Sequence, residues 1–400
     1  MIALKQKQRC LIVTLKRGNR LRKIVIIGAN EFQNPLIIKA KELGFETHVF
    51  AWKEGAVGEK NADYFYPISI VEKDDILKKC QKINPDAVIT IGSDLAMITV
   101  QYVASRLNLP CNSDRSIEIS TNKYCMRSAF EEAGISVPKY VLVDENTDVR
   151  KKIDFSFPVI VKPTDRSGSR GITKLYDFEG IEEAVKIAVE NSFEKKAIIE
   201  EYMEGEEYSF ESISFAGEHV NLAITKKYTT GSPNYIEIGH IEPSGLEESI
   251  CKKAKEEIFK ALDALEIKYG ASHVEFKVDV DGNIRIIEIG ARMGGDCIGS
   301  DLVYLSTGYD FIKMVIQVAL GEKPAILQEG ECGVSVVRFI MNQKDLQQLR
   351  DIKKENADKI KFVSDIQVES DRKIVDSGSR YGYYILRCDS IEEAKRLTKL

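Results

Sequence analysis

Three features are scarce in this sequence, and each scarcity excludes a class of protein. No apolar run approaches the ~18 residues that a membrane-spanning helix needs. The net charge is only -5, which argues against a nucleic-acid partner and an acidic membrane surface. The cysteines show neither a C-x-x-C pair nor a zinc spacing, and scattered free thiols suit a reducing cytoplasm. They are Cys10, Cys80, Cys111, Cys125, Cys251, Cys297, Cys332 and Cys388.

The rest of the composition is that of an ordinary globular protein, with 44% hydrophobic and 30% charged residues. A chain of 400 residues can build two or three domains around real cores. Residues 1–22 contain no acid, and their apolar stretch CLIVTL is shorter than a signal-peptide core of about 7–15 residues. We therefore expect a disordered basic tail. Its charges are Lys5, Lys7, Arg9, Lys16, Arg17, Arg20 and Arg22.

Residues 23–114 alternate between strand and helix patterns. KIVIIG, THVFAW and DAVITIGS read as short strands, and PLIIKAKELG, the 72–83 region and LAMITVQYVASRLN read as helices. Such alternation predicts a doubly wound parallel sheet. The loop after the first strand lacks G-x-G-x-x-G, which disfavours a dinucleotide-binding enzyme.

Residues 115–324 mix antiparallel strands with helices, which indicates an α+β domain. One helix is predicted over 115–135 with Lys123 inside it, and others over 179–190 and 247–265. The strands FPVIVKP, AIIEEYM, EYSFESISF and HVNLAITKKYT divide this part into two subdomains with a hinge near 200–205. The helix DFIKMVIQVALGEKP closes it at Pro324, and residues 325–400 are predicted to form a small α/β domain.

Two glutamates flank an Asp-Gly turn in the second half of this region. The flanking runs SHVEFKVDV and NIRIIEIG alternate, which predicts a β-hairpin. In a two-residue hairpin Val280 pairs with Asn283, and counting back sets Glu275 opposite Glu288. Opposed strand residues have Cβ atoms roughly 4.5–5.5 Å apart, where like charges are destabilising. This pair therefore requires a compensating cation.

Two carboxylates that leave room for water and phosphate oxygens suit Mg²⁺. The alternative is a pair of solvated surface glutamates. The following segment EIGARMGGD favours the metal site, because Arg292 adds a fixed cation and Gly294 and Gly295 add backbone amides.

A second candidate site is the loop after FPVIVKP. Lys162 ends this strand, and the loop behind it holds Gly168 and Gly171. The amides of Ser167, Gly168, Ser169 and Arg170 can form an anion nest while the lysine supplies a mobile charge, which is the chemistry of a phosphate clamp. The alternative is a plain solvated loop.

Acidic residues follow in IIEEYMEGEEY, where a strand changes to a loop at Glu204-Gly205. A carboxylate can accept a hydrogen bond from an exocyclic amine, and another from ribose hydroxyls. On its own the segment could equally be an acidic solvated face.

In this order the segments resemble the ATP-grasp superfamily of carboxylate–amine ligases, over about residues 23–330. The resemblance implies a pre-ATP-grasp domain at 23–114 and an ATP-grasp domain at 115–324. It implies ATP and Mg²⁺ as cofactors, with two metal ions and Mn²⁺ as an alternative. Its implied nucleotide contacts are Lys123, Lys162, the 167–171 loop, Glu200 and Met203 at the adenine, Glu201 beside them and Glu207 at the ribose. Its implied metal ligands are Glu275 and Glu288. Its implied substrate contacts are Arg292, which holds the substrate carboxylate and later the tetrahedral oxyanion, and the amides of Gly294 and Gly295.

One position departs from the family pattern. Many members read E-x-N-x-R, with the Asn completing the metal site, whereas here that position is Gly290. The A-R-x-G-G-D form, with His273 two residues before Glu275, is closer to the L-amino-acid (dipeptide) ligase branch.

The implied reaction activates a carboxylate as an acyl phosphate and joins it to an amine, so the expected partners are small molecules. Homodimers are common among proteins resembling this one. An ATP-grasp enzyme that activates formate or bicarbonate is one alternative, and a non-catalytic nucleotide-binding regulator is another. The intact Lys162, Glu275, Glu288 and Arg292 argue against the regulator.

Four further side chains are weaker candidates. His273 is expected to orient substrate or accept the amine's proton, or else to be structural. His240, in GHIEPSG, is expected on a loop as a surface histidine. Lys226 and Lys227 would touch phosphate or be solvated. The C-terminal loop DSGSRYGYY is expected to reach toward the substrate.

Overall fold

The structure is a computed structural model that describes residues 16–17, 20–168, 170–232, 235–366 and 373–400. Most of the predicted basic tail therefore lies outside the described residues. The described part begins with two short antiparallel strands, β1 (Lys16–Arg17) and β2 (Arg20–Leu21). Arg22 Nη1 then lies 2.7 Å from a carboxylate oxygen of Glu322, which ties the end of the tail to the folded body.

The predicted parallel sheet follows and is confirmed. Its strands are β3 (Lys23–Ile27), β4 (Glu46–Phe50), β5 (Tyr64–Tyr66) and β6 (Ala87–Ile89), in the order β5-β4-β3-β6. Helices α1 (Asn34–Glu42), α2 (Lys73–Ile83) and α3 (Asp94–Arg106) lie between or after them. Ile24 and Ile26 pack with α1, while Val25 and Ile27 pack with α2 and α3. Because both faces of β3 are covered, its sequence is a continuous apolar run.

The single helix predicted over 115–135 is wrong, because Asn122 divides it. The two helices are α4 (Asp114–Thr121) and α5 (Lys123–Glu132). Asn122 is extended, and its side chain accepts hydrogen bonds from the amides of Tyr124 and Cys125 as the cap of α5. Lys123 is therefore the first residue of a helix, and its own amide donates to the carbonyl of Thr164 (2.7 Å).

A four-stranded antiparallel sheet forms the first α+β subdomain. Its elements are β7 (Tyr140–Val143), α6 (Val149–Lys152), β8 (Val159–Pro163), β9 (Thr173–Leu175), α7 (Ile181–Asn191) and β10 (Ala197–Glu201). The strand order is β7-β10-β8-β9. The apolar face of α7 packs on this sheet through Ile181, Ala184 and Val185.

An eight-stranded antiparallel sheet carries the rest of the chain. Its strands are β11 (Glu206–Phe215), β12 (Glu218–Thr229), β13 (Glu237–Glu242), β14 (Gly270–Val278), β15 (Ile284–Gly290), β16 (Val334–Phe339), β17 (Ile360–Val363) and β18 (Tyr383–Cys388), in the order β15-β14-β11-β12-β13-β16-β18-β17. The helices are α8 (Glu248–Ala264), α9 (Val303–Thr307), α10 (Phe311–Ala319), α11 (Gln343–Glu355) and α12 (Ile391–Thr398). The strands of the 325–400 region thus extend the sheet of the preceding region.

The hairpin β14–β15 differs from its predicted form in two ways that cancel. The turn is longer than two residues, since Val278 pairs with Ile284, which alone would shift Glu275 away from Glu288. A β-bulge next to Glu275 adds one residue on β15, so that Phe276 pairs with Ile286 while Glu275 still pairs with Glu288. The predicted opposition of the two glutamates is confirmed. Among the described helices, none is both long and apolar enough to cross a membrane.

Candidate active site

Glu275 and Glu288 face a shared cavity, and each carboxylate has a lysine partner from a different element. The ammonium group of Lys227, on β12, hydrogen-bonds Glu275 Oε1. Lys123 Nζ, at the start of α5, lies 3.0 Å from Glu288 Oε2. In this structure the positive charge beside each carboxylate is a side-chain ammonium group of the protein, whereas the prediction was a metal ion.

Lys227 lies among three carboxylates. Besides Glu275, its Nζ is 3.1 Å from Glu207 and 3.9 Å from Glu237. Burial by itself lowers the pKa of Lys227, but the three acids outweigh it and hold that pKa well above its usual value. Burial raises the pKa of Glu275, and Lys227 and His273 more than reverse this, so both groups are charged. The prediction that Lys227 is either solvated or phosphate-bound therefore misses its role in this pair.

The donor set fits Mg²⁺ held partly by phosphate. Within the described ranges, no group of three or more His, Cys, Asp or Glu side chains is arranged to hold a metal ion. Mg²⁺ is commonly bound by one or two carboxylates together with substrate phosphates and water. Glu275 and Glu288 provide that pair, and the lysines at their oxygens mark places where positive charge is already favourable.

Lys162 and Glu200 form a buried ion pair with Arg127. Lys162 Nζ is 2.6 Å from Glu200 Oε2, and Arg127 Nε is 2.7 Å from Glu200 Oε1. Burial raises the pKa of Glu200, but Arg127 and Lys162 outweigh it and bring that pKa to about 2. The Glu200 carboxylate is 0% exposed and is paired with these two cations, so a contact of its side chain with adenine is disfavoured and the predicted place of Glu200 at the adenine stays a prediction. Its observed contacts position Lys162.

The glycine loop lies over the two glutamates. Ser167 and Gly168 line the same cavity as Glu275 and Glu288, whereas Ser169 lies outside the described residues. Lys123 Nζ also donates to the carbonyl of Arg166 (2.6 Å), which connects the loop to the Glu288 lysine. Gly171 has φ +67° and packs against Pro163 and Asn191 at the base of the loop.

The hinge between the subdomains uses its polar groups locally. Glu201 accepts a hydrogen bond from the amide of Lys139 (3.1 Å), and the Met203 carbonyl accepts from Lys277 Nζ (2.9 Å). Glu207, at the start of β11, instead points to Lys227. Of the acids predicted to contact the nucleotide, Glu207 is the one linked to Glu275, because both carboxylates contact Lys227 Nζ.

Arg292 lies at the junction of the N-terminal sheet and the hairpin. Its Nε and Nη2 donate to the two carboxylate oxygens of Asp94, both at 2.9 Å. Burial lowers the pKa of Arg292, but Asp94, Glu288 and Glu275 raise it overall, so the guanidinium stays charged. Arg292 and Asp94 line the cavity with the two glutamates.

His273 is an imidazolium that binds two carboxylates. Its Nδ1 bonds to Glu211, and its Nε2 lies 3.3 Å from Glu275 Oε1. Burial lowers the pKa of His273, yet Glu211 and Glu275 raise it overall to about 9. Protonation at neutral pH disfavours the predicted role of accepting the amine's proton, and a role in orienting substrate stays a prediction. The amide of Gly294 donates to Glu211 (3.1 Å), so it is engaged as well.

His240 is buried in strand β13, so the expected surface loop is wrong. It is 0% exposed, and neither ring nitrogen has a hydrogen-bond partner among the described residues. Its Nε2 faces Asp296 at 3.8 Å, and burial, opposed by Asp296, lowers its pKa. His240 and Asp296 both line the cavity.

The C-terminal loop also reaches this cavity. Arg380 binds Asp296 through Nη1 and Nη2 at 2.9 and 2.6 Å. Ser377 Oγ donates to Glu237, and Ser377 lines the cavity. The loop DSGSRYGYY thus lies where the sequence analysis expected it.

The cavity bounded by these groups has a volume of about 170 Å³. A larger cavity of about 620 Å³ adjoins it and shares Gly92, Asp94, Ser167 and Glu288 with it. Apolar side chains of the N-terminal region, Leu95 and Ile98, line the larger cavity. Asp94, Ser167 and Glu288 therefore lie between a small polar cavity and a wider, partly apolar one.

Several site residues were missed by sequence reasoning. Asp94, Arg127, Glu211, Glu237 and Asp296 all contact residues that the sequence analysis considered. They lie far along the chain from their partners or on elements read as ordinary strand or helix. A usable signal existed for Glu237 and His240, since EIGHIE alternates in the manner of a strand.

The family comparison agrees with this geometry. Residues 155–301 match the family model described as the ATP-grasp domain, so the chain contains an ATP-grasp domain. The resemblance inferred from the motifs is confirmed at that level.

Two relatives and one solved structure show the kinds of enzyme to which this chain is similar. Alanine–anticapsin ligase of Bacillus subtilis (strain 168) is 28% identical over 280 residues, covering 64% of this chain and 58% of the relative. This chain thus spans somewhat more than half of that relative's length. The carbamoyl phosphate synthase large chain of Caldanaerobacter subterraneus subsp. tengcongensis is 26% identical over 267 residues, covering 65% of this chain and 24% of the relative. The crystal structure of L-amino acid ligase from Bacillus licheniformis has a TM-score of 0.80 at 24% identity, covering 96% of this chain and 97% of that one, and this likeness shows a shared fold.

Proposed function

We propose that this protein is an ATP- and Mg²⁺-dependent carboxylate–amine ligase that activates an amino acid as an acyl phosphate and joins it to an amine. The observation that carries the proposal is the cavity in which the opposed Glu275 and Glu288 meet Arg292 beneath the glycine loop. A pair of carboxylates for Mg²⁺, a guanidinium for an organic acid and a loop for phosphate are the parts that this reaction requires.

Glu275 and Glu288 hold the metal, and Lys123 and Lys162 balance the negative charge of the phosphates. When bound, Mg²⁺ neutralises charge on the β- and γ-phosphates of ATP. Phosphoryl transfer requires positioning and charge neutralisation more than covalent help from the protein. The buried Arg127–Glu200 pair holds Lys162 in place.

Arg292 binds the carboxylate whose oxygen attacks the γ-phosphorus, with ADP as the leaving group. The amine then attacks the acyl carbon, phosphate leaves, and the amine gives up a proton. His240 is the group suited to receive that proton, because its ring is neutral and its nitrogens are free among the described residues. The glycine loop over the cavity keeps water from the acyl phosphate.

An amino-acid substrate is favoured over a smaller acid by the space beside the reacting groups. The cavity of about 620 Å³ beside Asp94 and Glu288 contains the nucleotide residues Lys123 and Ser167 at one side, and its apolar side chains Leu95 and Ile98 suit an organic side chain, which formate and bicarbonate lack. The relationship to alanine–anticapsin ligase supports the same choice, whereas the carbamoyl phosphate synthase relative supports activation of bicarbonate as the second candidate.

A phosphate-release screen tests the proposal. The protein is supplied with Mg²⁺ and ATP and offered the twenty amino acids singly and in pairs, beside bicarbonate and formate. Release with amino-acid pairs and a product mass equal to their condensation is the expected result. Release with bicarbonate or formate alone would favour the second candidate, and no release with any acceptor would favour a non-catalytic regulator.

Arg292→Ala separates the chemical step from nucleotide binding. We expect turnover to fall by ~10²–10³, the usual cost of losing one oxyanion donor, while ADP still binds. A collapse of ADP affinity in this variant would contradict the role given to Arg292.

A further inference from the structure

One edge of the Arg292 guanidinium is occupied by a carboxylate of the protein itself. The parallel bonds from Nε and Nη2 to Asp94 are both 2.9 Å, and the two residues are 198 positions apart. Asp94 is the first residue of α3, which is capped by Ser93, and the amide of Gly92 donates to the carbonyl of Met293 (3.2 Å). The loop before α3 is therefore bound to the arginine segment at two points.

Gly290 is what leaves room for this contact. A Cβ at Gly290 would lie 2.8 Å from Asp94 Oδ1, closer than real Cβ atoms come, and 3.1 Å from Arg292 Cζ, which is tighter than most real Cβ contacts. Gly290 is in strand β15, so the glycine is required by space and not by an unusual backbone angle. The asparagine found here in the wider family pattern would displace Asp94 or Arg292.

The pairing with Asp94 leaves some N–H groups of Arg292 available to a ligand. A guanidinium has five N–H groups, of which Asp94 takes two and the Met293 carbonyl takes one from Nη1 at 3.3 Å. The other two have no partner among the described residues, and they belong to Nη1 and Nη2. They form a second edge that matches a carboxylate in bidentate geometry.

We propose that Asp94 is a positioning residue for Arg292: it fixes one edge of the guanidinium so that the other edge binds the substrate carboxylate, and Gly290 is the space that permits it. The inference rests on the proposed function, in which Arg292 is the carboxylate-binding residue. Without Asp94, the guanidinium is drawn toward Glu288 and Glu275, the groups assigned to the metal.

The test is a double-mutant cycle between Asp94 and Arg292. Steady-state phosphate release is measured with Mg²⁺, ATP and the amino-acid pair that the wild type uses best, in D94N, G290A, R292A and D94N/R292A. We expect kcat/KM to fall about 10–100-fold in D94N and in G290A, as for other groups that orient a site residue, mainly through KM for the carboxylate substrate. We expect D94N to add less than about twofold once Arg292 is absent.

The matched control is G333A. A Cβ at Gly333 would lie 2.8 Å from Arg387 Nε, so this change also crowds an arginine, but one paired with Glu331 at an exposed position. Its activity should equal that of the wild type. Effects of D94N and R292A that multiply in the double variant would overturn the proposal, because Asp94 would then act on the substrate or metal directly. Wild-type activity in G290A would overturn it as well.

A second readout does not depend on activity. Hydrogen exchange of the Arg292 Nε–H is followed by NMR, with the signal identified by its loss in R292K. We expect slow exchange in the wild type and at least tenfold faster exchange in D94N and G290A, with unchanged ADP affinity in all three. Equal exchange rates would overturn the proposal. A wild type that shows slow exchange but turns over no substrate would reject the proposed function and leave the Asp94 contact standing.

Discussion

Replacing Glu242 by glutamine should change how the stability of this protein depends on pH. Glu242 lies in β13, is 0% exposed, and accepts hydrogen bonds from Ser306 Oγ and from Thr225 Oγ1 (2.6 Å). Burial raises the pKa of this carboxyl from 4.5 to about 7; the two hydroxyl donors oppose the rise and nearby Glu211 adds to it. A neutral amide of the same shape removes the titration and keeps the packing.

The size and sign of the effect follow from the two pKa values. Below pH 4.5 the carboxyl is protonated in both the folded and the unfolded chain. Between pH 4.5 and about 7 the unfolded chain loses the proton and the folded protein keeps it, so the free energy of unfolding falls as pH rises. At about 1.4 kcal/mol per pKa unit, the total loss is about 3 kcal/mol and is complete just above pH 7.

The assay is urea unfolding of the wild type and Glu242→Gln from about pH 4.5 to pH 8, comparing the same cooperative transition in both proteins. The free energy of unfolding of the variant, minus that of the wild type, should increase by about 3 kcal/mol across this range. Glu218→Gln is the matched control, since the Glu218 side chain is 71% exposed, and it should change the profile little. Parallel profiles for wild type and Glu242→Gln would refute the reasoning.

Three further predictions concern the hinge, the buried ion pair and the metal site. Gly205→Ala should destabilise the protein by about 2 kcal/mol or more in urea unfolding, because Gly205 has φ +124° and an added Cβ would lie 2.5 Å from the Val278 carbonyl oxygen. The control Gly55→Ala, at φ +73° with open space around it, should cost about 1 kcal/mol, and equal losses of stability in the two variants would contradict the prediction. Arg127→Met should lower the free energy of unfolding by about 3 kcal/mol, because it removes one partner of the buried Glu200. The control Arg150→Met, in an exposed pair with Glu182, should lower it by under about 1 kcal/mol, and similar losses in the two variants would contradict the stabilising role of the buried pair. Glu275→Gln should raise the Mg²⁺ concentration needed for half-maximal phosphate release by about tenfold or more, since one of two carboxylate ligands is lost; an unchanged magnesium titration would remove Glu275 from the metal site.

The sequence located the central feature of the site through local rules. Alternating apolar residues around an Asp-Gly turn set which faces of β14 and β15 carry Glu275 and Glu288. The assumed two-residue turn was wrong, and the unforeseen bulge beside Glu275 restored the pairing. Bulges depend on packing against the rest of the sheet. The observed pairing of Glu275 with Glu288 therefore depends in part on tertiary structure.

Roles that depend on charge were predicted less well. Glu200 was expected at the adenine but neutralises Lys162, and His273 was expected to take a proton but is already protonated by its two acidic neighbours. His240 was expected at the surface but lies in a buried strand, with its Nε2 3.8 Å from Asp296. In each case the charged partners of the residue were not foreseen.

By itself, the sequence determined many of the strands, most of the helices and the hairpin, because periodicity, caps and turn residues act between near neighbours in the chain. Only the tertiary structure decided which oppositely charged side chains form pairs. Asp94 meets Arg292, Lys227 meets Glu275 and Arg380 meets Asp296 because three sheets bring distant segments to one cavity. Electrostatic interaction depends on distance in space and on burial, and neither quantity is set by separation along the chain.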